Sequence, residues 1–145
     1  LWSILCRVGP TVTNFSEEIS ATHLALSDAR QHVGAWLRGN GQHTQTLIGD
    51  VEMVLTELGA NVIDHTSSPW IRVAIALPGE RVTVEIANQG AVDAVPPVES
   101  WGQLSEGTRG RGLRIIRALC AEVAVFGDEK STHIRCDITS GGDFY

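Results

Sequence analysis

The stretch LIGDVEMVLTELGANVIDH, residues 47–65, decides how the rest of the chain is read. Leu47, Val51, Val54, Leu55, Leu58 and Val62 fall at steps of three and four, one apolar stripe along an α-helix. Ile48 and Ile63 widen it. The spacing predicts a helix from about Thr44 to His65, broken by Thr66-Ser67-Ser68-Pro69 because proline cannot continue it. Glu57, Asn61 and His65 lie four apart on another face, with Asp50 and Asp64 near the same side. A carboxylate and a carboxamide one turn apart can hold Mg²⁺ or position a hydroxyl beside bound phosphates. Taken alone, the pattern is more often that of a solvated helix face.

Downstream, Ile71, Val73, Ile75 and Leu77 alternate with polar or small residues. Pro78-Gly79 makes a turn, and Val82, Val84 and Ile86 alternate again. This is an antiparallel hairpin with one face buried. Asn88-Gln89-Gly90 ends its second strand, as an ordinary turn would. Residues 88–110 hold two prolines, several glycines and no period, and a connection this long is usually functional or mobile. A helix starting near Gly110 to Gly112 buries Leu113, Ile116, Leu119 and Cys120. Strands Val123–Phe126 and Thr132–Thr139 close the chain as a hairpin around Gly127-Asp128.

Upstream, Trp2, Ile4, Cys6 and Val8 alternate as in a strand ending at Gly9-Pro10, and a second extended piece is expected from Ile19 to Leu26. Ser27 then reads as the N-cap of a helix that buries Ala29, Val33, Trp36 and Leu37. The element order gives an α+β fold. It is a two-layer α/β sandwich, with a mixed, mostly antiparallel sheet covered on one face by helices, and residues 1–145 form one domain.

Composition agrees with a globular core, at 43% apolar and 19% charged residues over 145. The net charge of −6 argues against nucleic acid and anionic membrane surfaces as partners, and no apolar run approaches the roughly 20 residues of a membrane span. Cys6, Cys120 and Cys136 are odd in number and widely spaced. Free thiols in a reducing cytoplasm are expected, with no disulfide framework or zinc site.

The segment GTRGRGLRII, residues 107–116, concentrates Gly107, Gly110 and Gly112 with Arg109, Arg111 and Arg114 at a helix start. Glycines let backbone N–H groups approach an anion, and a helix N-terminus favours negative charge. The segment is neither a Walker loop nor a dinucleotide fingerprint. The order Glu57…Asn61, Asn88-x-Gly90, long loop, Gly110-x-Gly112-Leu113 resembles the GHKL, or Bergerat-fold, ATPases across about residues 10–140. ELGANVIDH looks like their N box, NQG stands at their first glycine box and GRGL at their second.

The wording VLTELGANVIDH and RGRGLRIIRALCAEV is similar to the anti-sigma-factor serine kinases of bacterial partner-switching systems. The resemblance implies a cytoplasmic, commonly homodimeric ATP-dependent protein serine kinase. Such a protein binds a sigma factor and phosphorylates a STAS-domain anti-sigma-factor antagonist with Mg-ATP. The N-terminal strand and the helix over 27–38 are its candidate dimer surfaces. It also implies Glu57 as the general base and Asn61 as the Mg²⁺ ligand. Asn88 and Gly90 would stand at the adenine. Gly110, Gly112 and neighbouring amides, with Leu113 completing the box, would cradle the phosphates. Arg109 or Arg111 would neutralise the transferred phosphoryl group, and His65 would orient the site. Residues 91–109 would form the lid over ATP.

Two departures stand out. Asn88 replaces the usual aspartate, and a carboxamide that flips could also meet guanine. Ala91-Val92 replaces a second glycine, and its side chain is expected to narrow the pocket. Two alternatives share the fold: a catalytically weak or inactive module that sequesters a partner, and the ATPase module of a larger sensor kinase.

Overall fold

The first strand, β1 (Thr13–Ser20), leads directly into helix α1 (His23–Gly39). Thr22 is the N-cap: its backbone is extended and its hydroxyl accepts the Ala25 amide at 3.1 Å. Ser27, expected as the cap, lies inside the helix, and the extended piece expected to reach Leu26 stops at Ser20. Starting the helix at His23 brings Leu26 into one buried stripe with Ala29, Val33 and Leu37, which the later start leaves out. Trp36 is half-buried, its ring 5.7 Å from that of Phe15 on β1. The computed structural model describes residues 13–41, 43–78, 81–103 and 108–138. The strand expected over residues 2–8, together with Cys6, Gly79, Gly107 and Thr139, lies outside them.

Helix α2 (Gln45–His65) has the expected extent, with the Thr44 hydroxyl accepting the Leu47 amide at 3.0 Å. Strands β2 (Trp70–Leu77) and β3 (Val82–Gln89) follow. Two 3₁₀ turns come next, Val92–Ala94 and Val98–Gln103, then α3 (Thr108–Leu119), β4 (Glu122–Gly127) and β5 (Ser131–Ile138). The sheet order is β1-β2-β3-β5-β4, and all four pairings are antiparallel. Val73 and Ile75 of β2, Val84 and Ile86 of β3, and Ile134, Cys136 and Ile138 of β5 point to one face. There they meet Val51, Leu55, Leu58 and Val62 of α2 in a continuous core. The opposite face carries polar pairs such as Arg72–Glu18 (2.9 Å) and His133–Glu85 (3.1 Å). This is the expected α+β sandwich of two layers.

The insertion of β5 between β3 and β4 has a functional consequence. It sets Asn88 at the end of β3 directly opposite Thr132 of β5. Cys120 and Cys136 are free buried thiols. The neighbouring Cys120 sulfur and burial push the Cys136 thiol far above its ordinary range, so it is held protonated and unreactive. Among the described residues, no helix is long and apolar enough to cross a membrane.

Candidate functional site

A cavity of about 290 Å³ opens between the second half of α2 and the ends of β3 and β5. Its apolar walls are Leu58 and Val62 of α2, Ile86 of β3 and Ile134 of β5. Ala94 and Val95, from the first 3₁₀ turn, cover one side. Its polar residues include Asn61, His65, Asn88 and Thr132, with Thr66, Ser67 and Gln89 also in the lining. Mostly apolar walls with few fixed polar atoms are what a planar organic ligand needs.

Asn88 is 5% exposed, and its Nδ2 donates to the Gln89 carbonyl at 2.9 Å. A carbonyl only accepts, so it fixes the amide with nitrogen towards Gln89, and Oδ1 is left as an acceptor for a ligand. The amide, which the sequence leaves able to flip towards guanine, has its nitrogen on Gln89 in this structure. Thr132 is 3% exposed and donates its hydroxyl to the Gly90 carbonyl at 2.9 Å. Gly90 has φ +137°, a conformation that side chains rarely adopt. Behind it, the buried Ser68 hydroxyl accepts the Gln89 amide at 3.0 Å and donates to the Trp70 carbonyl at 2.6 Å.

The second constellation meets the first at the cavity mouth. A Cβ built on Gly112 would lie 2.6 Å from Glu57 Oε2 and 3.8 Å from Asn61 Nδ2. A side chain at this point of α3 would push the Glu57 carboxylate out of its place on the polar face of α2. Asn61 Nδ2 is buried and has no hydrogen-bond partner, so an acceptor supplied by a ligand would satisfy it. Glu57 is half-buried beside Gly112 and outside the cavity lining. Asp50, two turns before it, has its carboxyl raised above the ordinary range by burial.

The remaining expected site residues are spread around this centre. Arg109 and Gly110 lie in the first turn of α3, where backbone N–H groups lack helical partners. Arg111 is exposed one step on. Leu113 turns its side chain into the core at 1% exposure. His65 stands at the exposed rim of the cavity. Of the pair Ala91-Val92, expected to narrow the pocket, Ala91 lines it and Val92 does not; the Val92 amide donates to the Asp128 carbonyl at 3.0 Å.

The loop expected as a lid is folded over 91–103. Trp101 is fully buried and donates its indole N–H to the Pro96 carbonyl at 2.9 Å. That is local packing rather than a partner contact. Trp70, the other tryptophan weighed as a partner contact, carries the Arg72 guanidinium 5.5 Å from its ring centroid.

A family model for the histidine kinase-like ATPase domain matches residues 19–137. The chain belongs to this family. The match spans β1 to β5 and contains every element of the cavity. No curated protein sequence matches the chain.

Solved structures of the ATPase fold agree at low identity. The SiaB–SiaC complex from Pseudomonas aeruginosa superposes with TM-score 0.67 at 16% identity, covering 86% of this chain and 89% of that one. The RsbU and RsbW domains of Rv1364c from Mycobacterium tuberculosis give 0.61 at 17% identity, over 88% of this chain and 32% of that longer one. The Acinetobacter baumannii histidine kinase AdeS gives 0.51 at 12% identity, over 88% and 68%. An ATPase domain implies ATP as ligand. The apolar slot, the fixed Asn88 oxygen, the orphaned Asn61 donor and the glycine approach of α3 fit a purine with a phosphate tail.

Thr132 and Ser68 were not singled out from the sequence. Each is one small hydroxyl residue among many, and only the β3–β5 pairing brings Thr132 opposite Asn88.

Proposed function

We propose that this ATPase domain is a protein serine kinase of a partner-switching system. It phosphorylates a STAS-type anti-sigma-factor antagonist with Mg-ATP, and it binds a sigma factor, as a cytoplasmic homodimer. The observation that carries the proposal is the meeting of Glu57 and Asn61 with Gly112 at the cavity mouth. A phosphate tail leaving the cavity there passes a carboxylate, a carboxamide and the free amides of the α3 N-terminus. The fold shared with SiaB, solved in complex with SiaC, and with an RsbW domain supports the partner-switching context.

Glu57 accepts the proton of the acceptor serine hydroxyl as the oxygen bonds to the γ-phosphorus and the bond from that phosphorus to the bridging oxygen breaks, ADP leaving with the electron pair. The Asn61 carboxamide, with phosphate oxygens, would hold Mg²⁺, which when bound neutralises charge on the phosphates. The amides of Arg109 and Gly110, in the first turn of α3, donate to the phosphate oxygens, and an Arg109 or Arg111 guanidinium balances the developing charge.

Asn88 Oδ1 accepts from the adenine amino group. Guanine presents a carbonyl at that point, so ATP is expected to bind at least about tenfold more tightly than GTP, for one mismatched buried hydrogen bond. Asn88→Asp keeps the acceptor and should keep the preference. Parallel ATP and GTP titrations of both proteins check this, and equal affinities would show that Asn88 does not read the base.

The function is tested by incubating the protein with Mg-ATP and a cognate STAS partner. Phosphoserine on the partner is the expected result. The pure binding module draws on Asn88 and Ala91-Val92 standing where the family pattern has aspartate and glycine. It predicts a tight complex with no phosphate transferred.

A further inference from the structure

The turn between β4 and β5 lies outside the cavity lining, yet it holds the end of β3 from which the cavity is built. Asp128 accepts the Lys130 amide at 2.7 Å and the Ser131 amide at 3.0 Å on one carboxylate oxygen, and its own amide donates to the Ser131 carbonyl at 3.0 Å. These bonds close the turn as an Asx motif. The closed turn then presents two carbonyls towards β3. Lys130 O accepts the Gly90 amide at 2.8 Å, and Asp128 O accepts the Val92 amide at 3.0 Å. Thr132, the next residue of β5, donates to Gly90 O from the same side.

Gly90 follows Asn88 by two residues and lines the cavity. Val92 opens the 3₁₀ turn whose Ala94 and Val95 cover it. Asp128 itself is fully exposed, and nothing in the ATPase chemistry calls for a carboxylate there. The Lys130 and Ser131 amides hold its carboxyl below the usual carboxylate range, as expected for a carboxylate that the fold uses as an acceptor.

We infer that Asp128 is a positioning residue for the nucleotide. Through the β4–β5 turn it fixes Gly90 and Val92, and with them the base-reading strand end and the root of the lid. The inference rests on reading the cavity as the nucleotide site, but its structural half stands apart from that reading.

The test compares the wild-type protein with Asp128→Ala, Asp128→Asn and a Lys130→Ala control. Amide hydrogen exchange is followed by NMR, together with calorimetric titration of Mg-ADP. In Asp128→Ala, exchange at Gly90 and Val92 should quicken by roughly tenfold relative to Val84 and Ile86 earlier in the same strand, and Mg-ADP should bind about tenfold more weakly. Asp128→Asn keeps an acceptor oxygen and should restore both to within about threefold, since a neutral acceptor is weaker. Lys130→Ala, which keeps the carbonyl, should match the wild type.

Unchanged exchange at Gly90 and Val92, or acceleration shared equally by Val84 and Ile86, overturns the inference, the latter by showing a merely structural role. Local quickening with unchanged Mg-ADP affinity also overturns it. A wild-type protein that binds no Mg-ADP while the exchange pattern appears as expected would overturn the reading of the cavity and leave the latch on β3 in place.

Discussion

Glu57→Gln should lower phosphoryl transfer to a STAS partner by about 10²–10⁴-fold, the usual contribution of a positioned general base. Glutamine has the shape of glutamate and can still hydrogen-bond, but it cannot take up a proton at neutral pH. Nucleotide affinity should stay within about threefold, because Glu57 lies outside the cavity lining. Stability should change little, because the side chain is only half-buried at a helix surface. Phosphoserine formation in a single turnover, set beside a Mg-ADP titration of the same variant, reads the two effects separately. Transfer at the wild-type rate would remove Glu57 from the chemistry and return its helix face to the role of a solvated surface.

Gly112→Ala is the second large effect, and it separates position from chemistry. Glycine to alanine inside a helix ordinarily stabilises by about 1 kcal/mol. Here the new Cβ would stand 2.6 Å from Glu57 Oε2, so something must move. The carboxylate is the end of a flexible side chain and gives way more easily than the α3 backbone. The expected variant is therefore folded, with an unchanged or raised Tm, and has its base displaced by about an ångström. Misplacement of that size costs on the order of 10²-fold in rate. Thermal melts and phosphotransfer rates on one sample check it. A stable Gly112→Ala protein with full activity would mean that the close approach of α3 to Glu57 has no part in catalysis.

The helix over 44–65, the two hairpins and the layer arrangement were legible because burial imposes its period directly on the sequence. Leu47, Val51, Leu55, Leu58 and Val62 all reach the core because a helix with one buried face has no other way to place them. The start of α1 was not legible. Leu24 is 76% exposed, and with Ala25 and Leu26 it makes an apolar run that reads as extended chain. Only the Thr22 cap bond shows which conformation wins.

At the site, Glu57, Asn61 and Gly112 could be named from their motifs, but their meeting depends on how α3 crosses α2, which no local pattern encodes. Thr132, Ser68 and Asp128 act through β3, a strand that pairs with β5 across a long stretch of chain. Their spacing from Asn88 in the sequence carries no trace of that pairing. The orientation of the Asn88 amide was likewise out of reach, since it is set by its neighbour's carbonyl.

The central claim is that a purine nucleotide occupies the cavity between α2 and the ends of β3 and β5, with its phosphates at the Glu57–Asn61–Gly112 contact. Titration of the isotope-labelled protein with Mg-ADP, followed by NMR, tests it most directly. The account predicts saturable shifts centred on the side-chain amides of Asn61 and Asn88 and the backbone amides of Gly90, Gly112 and Thr132. Saturation without movement of these signals, shifts confined to the opposite sheet face around Arg72 and Glu85, or no binding at all would contradict it.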